Sequence, residues 1–133
     1  MDTAALQRIM PFAALLDIRV AEAASDRVRL ELDWSPELTT AAGVLHGGVL
    51  MALADCAGAL AAYLCLPEGA SGTTTIESKT NLMGAVRAGR VDATATILHV
   101  GRTTIVVETT LESEDRLVAK TTQTQAVLTG ESS

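Results

Sequence analysis

The sequence predicts an α+β fold in which one long apolar helix packs on a curled antiparallel sheet of five to six strands. An almost uninterrupted apolar run spans residues 44–64, enough for about five helical turns. Two segments with strand periodicity precede this run and four follow it, joined by short turns. Strands are therefore segregated from the helix instead of alternating with further helices, which is typical of α+β domains.

The N-terminal segment predicts a short amphipathic helix over residues 2–10, which Pro11 ends. Leu6, Ile9 and Met10 share one side of this helix. We expect residues 1–12 to form a helical extension of the domain.

Alternation of apolar and polar residues predicts the strands. Residues 16–20 and 27–34 precede the central helix, and the second segment alternates strictly between charged and apolar side chains. The four later strands are predicted at residues 73–82, 91–100, 103–111 and 117–128. Their short connections predict an antiparallel meander, and residues 129–133 are expected to fray.

Length and composition limit the possible functions. The chain has 133 residues without repeats or a linker, so we expect a single domain over residues 1–133. A net charge of −6 and an aromatic content of 2% argue against nucleic-acid binding, which favours basic surfaces and stacking rings. The sequence contains neither a dinucleotide-binding G-x-G-x-x-G motif nor a G-x-S-x-G serine-hydrolase motif. The N-terminus lacks a secretory signal pattern, so we expect a cytoplasmic protein.

Cysteines and histidines indicate neither a disulfide nor a metal site. Cys56 and Cys65 lie on the same predicted helix about 13 Å apart, too far for a disulfide. His46 and His99 are far apart in sequence and match no metal-binding spacing. We therefore expect no metal and no cofactor, and we place His99 at the exposed end of a strand.

The central helix carries an apolar stripe on one side and a single carboxylate on the other. On an ideal helix Asp55 projects about 170° from the centre of the stripe. The stripe consists of Leu50, Leu53, Ala57, Leu60 and Leu64. The mostly small neighbours of Asp55 are Gly48, Met51, Ala52, Ala59 and Ala62.

Three interpretations of this helix compete. A membrane span is disfavoured, because the run is rich in alanine and carries Asp55 in its middle. Asp55 could instead be a solvated or a buried structural residue, although the sequence places no Lys or Arg within a turn of it. We favour a functional carboxylate on a face that a second molecule can approach closely.

One motif on this helix resembles a known family. Residues 45–48 (Leu-His-Gly-Gly) followed by residues 52–55 (Ala-Leu-Ala-Asp) resemble the pattern of hotdog-fold acyl-CoA thioesterases of the phenylacetic-acid-degradation type, in the 4-hydroxybenzoyl-CoA thioesterase superfamily. The turn at residues 101–103 and the segment 81–83 also match, and the resemblance covers residues 15–128. Many relatives carry Asn six residues before the motif histidine, where this chain has Thr40.

The resemblance implies an activity and a set of catalytic positions. Asp55 matches the catalytic acid, and Gly47 matches the residue whose backbone N–H polarises the thioester carbonyl. His46 matches the histidine at the start of the helix, for which we favour a structural role. Thr75 matches a strand hydroxyl that holds the acid or the water. The expected reaction is hydrolysis of a small or medium acyl-CoA, aryl groups included, and coenzyme A is part of the substrate.

Helix geometry predicts a homodimer with composite active sites. Gly47 and Asp55 are eight residues apart, about 12 Å along one helix. Both cannot reach one carbonyl carbon, where each must lie within about 3 Å. A second, antiparallel helix related by a two-fold axis supplies the missing group. The resemblance further implies that two dimers pair into a homotetramer.

The substrate contacts are assigned on weaker signals. Gly48 lets the substrate approach the backbone closely, while Met51 and Ala59 are expected to line the acyl pocket, together with Ala62, Tyr63 and Met83. Arg87, Arg90 and Arg102 lie at or beside predicted turns, where guanidinium groups could bind the coenzyme A phosphates. Ordinary solvated arginines explain each of them equally well.

Several alternatives stay open at this stage. Asp55 could activate water or attack the carbonyl itself. A non-catalytic acyl-CoA-binding protein and an enoyl-thioester hydratase or dehydratase of the same fold are the other candidate functions. The acyl group cannot be read from the sequence, and a carrier-protein thioester is as compatible with it as coenzyme A.

Overall fold

The computed structural model describes residues 1–130 and shows one long helix on a six-stranded antiparallel sheet. The helices are α1 (Thr3–Ile9), α2 (Pro11–Leu15) and α3 (Gly47–Tyr63). The strands are β1 (Arg19–Ala23), β2 (Arg27–Asp33), β3 (Ala70–Leu82), β4 (Arg90–Val100), β5 (Thr104–Ser113) and β6 (Arg116–Thr129). This confirms the predicted α+β fold class.

The strand order in the sheet is β1-β2-β4-β5-β6-β3. Strands β4, β5 and β6 form the predicted meander, but the inclusion of β3 in it was wrong. β3 pairs with β6 at the far edge, and β4 pairs with β2. β3 lies at the far edge because the sheet curls around α3, which contacts every strand from β2 to β6. The chain that leaves α3 therefore reaches that edge before it forms β4.

The N-terminal segment differs from the prediction in two places. Pro11 follows α1 and is the first residue of α2. Proline is tolerated there because the N–H of the first helical residue has no partner within the helix. The helical segment therefore extends to Leu15 and not only to residue 12. For the strand predicted at residues 16–20, the predicted first residue was wrong. Asp17 has a positive φ of 54°, and the Ile18 N–H donates to the Ala13 carbonyl, so the strand begins only at Arg19.

The core lies between the inner face of the sheet and α3. Leu50, Leu53, Ala57 and Leu60 of the predicted stripe are buried, whereas Leu64 caps the helix and is half-buried. Ala62 is also buried, so its placement on the open side of the helix was wrong. The buried side is wider than predicted because the sheet flanks the helix as well as lying under it.

The two ends of the sheet differ in length. β1 has 5 residues, while β3 is an edge strand of 13 residues. Thr129, predicted to lie in a frayed tail, is the last residue of β6 and pairs with Ala70. Gly130 follows the strand as an exposed bend, and residues 131–133 of the predicted tail lie outside the described residues.

Candidate active site

The Asp55 carboxylate is anchored at one oxygen by the two strands that flank α3. The Thr75 hydroxyl of β3 donates to Asp55 Oδ1 over 2.8 Å, and the Gln123 side-chain amide of β6 donates to the same oxygen over 2.9 Å. Among the described residues no hydrogen bond ends on Oδ2. Asp55 thus lies at the border between α3 and the curled edge of the sheet, so the side of the helix opposite the apolar stripe is itself flanked by β3 and β6.

Gln123 and Gln125 belong to this site and were missed in the sequence. The Gln125 amide donates to Thr75 Oγ1 over 2.6 Å, and both glutamines are 0% exposed. Their Oε1 atoms have no partner within residues 1–130, and each unpaired buried acceptor costs about 1–3 kcal/mol. The sequence gives a weak signal at best, because the threonines alternating with these glutamines are equally polar and hide which side of β6 is buried.

The start of α3 carries one satisfied and one free backbone donor. The Gly48 N–H donates to His46 Nδ1 over 2.8 Å, which makes His46 the N-cap of the helix. The His46 N–H donates to the Leu38 carbonyl and fixes the preceding loop. In the described chain the Gly47 N–H has no acceptor, so it is available to an external oxygen at the positive end of the helix dipole.

A shallow apolar hollow of about 330 Å³ opens over Asp55. We call it the Asp55 hollow. It is lined by Phe12, Gly48, Met51, Ala52, Asp55, Thr75 and Ser78. Gly48 and Met51 therefore lie where the sequence predicted them, while Ala59 is half-buried further along the helix and is not part of the lining. Phe12, from the N-terminal extension, was not foreseen.

The motif region matches a known family. The sequence profile described as the thioesterase superfamily matches residues 42–120, more than half of the chain. This chain belongs to the thioesterase superfamily. The matched range contains His46, Gly47, Asp55 and Thr75, and it ends before Gln123.

Individual thioesterases and esterases are similar over different lengths. The crystal structure of a thioesterase from Haemophilus influenzae superposes with a TM-score of 0.88 and 28% identity, covering 97% of this chain and 92% of that one. A Pseudomonas aeruginosa protein provisionally named an esterase is 38% identical over 73 residues, or 55% of this chain and 50% of that protein. The 1,4-dihydroxy-2-naphthoyl-CoA hydrolase of Escherichia coli is 33% identical over 86 residues, 65% of this chain and 62% of that enzyme.

Asp55 and Gly47 present groups of the kind that can act on a thioester carbonyl. Within residues 1–130, one oxygen of the half-buried Asp55 carboxylate and the Gly47 N–H at the helix start have no hydrogen-bond partner. Both residues lie on α3, which is a single helix, so they are separated by about 12 Å along its axis. Within one copy of the chain the two groups cannot act on the same carbonyl.

The three arginines that the sequence assigned to coenzyme A do not lie together in the chain. Arg87 lines a hollow with Arg116 beside the start of β4, and Arg90 is engaged by Asp92 at 3.2 Å and Glu31 at 3.7 Å. Arg102 is exposed in the turn after β4. The ends of this strand of 11 residues are about 30 Å apart.

Other potential chemistry is limited within the described part of the chain. Residues 1–130 contain no group of three His, Cys, Asp or Glu side chains that could hold a metal ion. None of their helices has the length and hydropathy needed to cross a bilayer. Both cysteines are free thiols, and burial, with the nearby Asp55 charge second, raises the pKa of Cys56 to about 11.

Proposed function

We propose that this protein is an acyl-CoA thioesterase that hydrolyses a small or medium acyl-CoA, aryl groups included, to a free acid and coenzyme A. The observation that carries the proposal is the Asp55 carboxylate, which lines an apolar hollow and is anchored at Oδ1 by Thr75 and Gln123, while Oδ2 has no hydrogen-bond partner within residues 1–130. A carboxylate that is fixed in direction and partly screened from water is suited to act on a neutral carbonyl.

The proposed chemistry uses Asp55 and the Gly47 N–H. As general base, Asp55 takes a proton from water while the water oxygen bonds to the carbonyl carbon, and the Gly47 N–H stabilises the charge on the carbonyl oxygen. The C–S bond then breaks, and the leaving thiolate receives the proton. As nucleophile, Asp55 would instead attack the carbonyl carbon, break the C–S bond and expel the thiolate, which leaves a mixed anhydride. Water then hydrolyses the anhydride, which releases the acid, returns the Asp55 carboxylate and supplies the proton for the thiolate. No cofactor is needed in either route.

We propose a two-fold dimer in which Gly47 of one subunit meets Asp55 of the other. The edge strand β3 supports it, because 13 residues with unpaired edge groups are a template for antiparallel pairing with a second copy. Such pairing sets two α3 helices side by side and antiparallel. It also brings the Arg102 end of one subunit toward the Arg87 end of the other. As the resemblance implies, two dimers are proposed to form a tetramer.

Coenzyme A as the thiol half of the substrate is supported by the Escherichia coli relative, whose name describes a CoA hydrolase. Arg87 and Arg102 are exposed and have no ion pair within the described residues, so they are the arginines we assign to the phosphates. Arg90 is the weaker candidate because its charge is engaged by two carboxylates. A cytoplasmic location fits this proposal, since free cysteines are typical of reducing compartments.

The first experiment compares thiol release from a panel of acyl-CoA substrates by the parent protein and Asp55→Asn. We expect the variant to lose roughly three powers of ten in kcat, because the amide can neither accept the proton nor attack. Equal turnover by both proteins would remove Asp55 from the chemistry. Calorimetric binding by the parent without turnover would favour a binding protein.

The second experiment tests the composite site with Gly47→Pro. Proline is tolerated at the first helical position and removes the N–H, and His46 already has the extended backbone that precedes proline, with φ −61° and ψ 133°. Proline also adds a Cβ, which would lie 2.5 Å from Leu82 Cδ1 and would displace that side chain; alanine makes the same contact. Gly47→Ala, which keeps the N–H, is the matched control. Each of Asp55→Asn and Gly47→Pro should be inactive alone.

Refolding these two inactive variants together distinguishes the two arrangements. It should restore about a quarter of the parent activity, since half of random pairs are mixed and each mixed pair has one intact site. Sites confined to one subunit would give no recovery.

A further inference from the structure

Two buried glutamines stand behind the Asp55–Thr75 pair. Gln123 and Gln125 lie two residues apart on β6, with side chains on the same inner side of the sheet, and both are 0% exposed. Neither can touch a substrate. Gln123 reaches Asp55 directly, and Gln125 reaches it through the Thr75 hydroxyl.

The direction of every hydrogen bond in this group follows from the carboxylate. A carboxylate oxygen can only accept hydrogen bonds, so Thr75 must donate its single hydroxyl hydrogen to Asp55. Thr75 Oγ1 can then only accept from Gln125, which must present its NH₂ side. Gln123 must also present its NH₂ side, because its carbonyl oxygen would repel Asp55 Oδ1. The whole group therefore has one arrangement.

The arrangement is not one that stability alone would select. The Oε1 atoms of both glutamines are buried without a partner in the described chain, so an apolar residue of similar size would avoid an unpaired acceptor. Helix α3 also accommodates Gln123 by carrying Gly58, since a Cβ there would overlap the glutamine amide. Both β6, with its glutamines, and α3, with Gly58, thus carry residues that are unfavourable for stability, and these residues keep the Gln123 amide in contact with Asp55.

We infer that Gln123 and Gln125 are positioning residues for thioester hydrolysis. Together they fix the Thr75 hydroxyl and Asp55 Oδ1 in one geometry, so that Oδ2 is the oxygen left for the reacting water or carbonyl. This inference rests on the proposed function, because it requires Asp55 to act in the reaction.

The test compares Gln123→Met and Gln125→Met with the parent. Methionine keeps the length and volume of the side chain and removes the amide. We expect kcat to fall roughly ten- to a hundredfold for each variant, because a small misplacement of a reacting group has an effect of this size. KM should change by less than about twofold, as neither residue touches substrate. The melting temperature should be equal to the parent's or higher.

Thr109→Val is the matched control. Thr109 is a fully buried polar residue on β5 whose Oγ1 also has no partner within residues 1–130, so it shares no hydrogen bond with this group. Its substitution should likewise leave the melting temperature equal or higher while kcat stays at the parent value. Unchanged kcat with a lower melting temperature in the glutamine variants would show a purely structural role and overturn the inference.

A double-mutant cycle with Asp55→Asn separates this inference from the proposed function. In the Asp55→Asn background, Gln123→Met should cause no further loss of kcat if the glutamine acts through Asp55. A further loss of the same factor overturns the inference. The same cycle applies when a glutamine substitution lowers both kcat and the melting temperature: no further loss of kcat in the Asp55→Asn background supports the inference, and an equal further loss overturns it. If Asp55→Asn is inactive while both glutamine variants are fully active, only this inference fails. If Asp55→Asn is fully active, the proposed function fails and this inference with it.

Discussion

Gly58, three residues after Asp55 on α3, lies directly against the side-chain amide of Gln123. A Cβ at this position would overlap the amide oxygen and carbon of Gln123 and lie in tight contact with its amide nitrogen at 3.1 Å; all three atoms lie beyond Cγ. Glycine inside a helix is unfavourable by about 0.5–1 kcal/mol relative to alanine. The missing side chain at Gly58 therefore makes room for the glutamine that holds Asp55.

This contact predicts that the effect of Gly58→Ala on stability changes sign with residue 123. In the parent chain Gly58→Ala should destabilise the protein by about 1–2 kcal/mol, because the overlap outweighs the helix propensity. In a Gln123→Ala background the same substitution should stabilise by about 0.5–1 kcal/mol. Urea unfolding of the four proteins measures both effects. Stabilisation in both backgrounds would show that the amide does not fill this space.

His46 is expected to contribute through its helix cap. His46→Ala removes the acceptor of the Gly48 N–H and should cost about 1 kcal/mol of stability. His46→Asn should restore the stability, because asparagine is a preferred N-cap residue. If the cap is its main role, His46→Asn also keeps most of the thiol-release activity. Recovery of the melting temperature without recovery of kcat would instead assign the imidazole to the chemistry.

The buried Cys56 thiol predicts a loss of stability at alkaline pH. Its pKa is raised from 9.0 to about 11, first by burial and second by the Asp55 charge. The native state therefore holds this proton between pH 9 and 11 while the unfolded chain releases it, so the stabilisation is complete below pH 9 and is lost as pH rises toward 11. Unfolding free energies across this window should fall by about 2–3 kcal/mol more in the parent than in Cys56→Ala.

The same thiol should be slow to react. The thiolate is the reactive form, and at pH 8 a titration with an aromatic disulfide should modify the half-buried Cys65 well before Cys56. Burial raises the pKa of Cys65 as well, but this side chain is more accessible. Asp55→Asn should make Cys56 react faster, since it removes the charge that opposes ionisation. Equal rates in the parent and this variant would contradict that electrostatic contribution.

Phe12 is expected to influence which acyl groups are accepted. Phe12 is 54% exposed and lines the Asp55 hollow together with Met51. Phe12→Ala should enlarge the hollow and shift the ratio of kcat/KM between aryl and short acyl substrates by roughly tenfold, in favour of the bulkier group. Leu15→Ala is the control, since Leu15 lies on the same short helix, is 78% exposed and does not line the hollow. The same shift in both variants would assign the effect to the helix and not to the ring.

Local patterns in the chain were sufficient for the fold class and for choosing the proposed reacting groups. The apolar run before and after Asp55 predicted α3, because helix periodicity is a property of neighbouring residues. The His46–Gly47–Gly48 start and the eight-residue spacing to Asp55 depend only on local sequence, and so does the argument that one helix cannot supply both groups. Strict alternation likewise predicted β2, whose Val28, Leu30 and Leu32 are fully buried.

The tertiary structure decided what lies beside Asp55. The sheet curls around α3 and brings β3 and β6 to its flank, so Thr75 and Gln123 contact a residue that lies 20 and 68 positions away in the chain. Neither the place of β3 at the edge nor the inward direction of Gln125 follows from alternation, because β6 is polar on both sides. Phe12 reaches the hollow only because α2 continues past Pro11. These contacts depend on which distant segments become neighbours in the fold. The periodicity of one segment does not predict which other segment will pack against it.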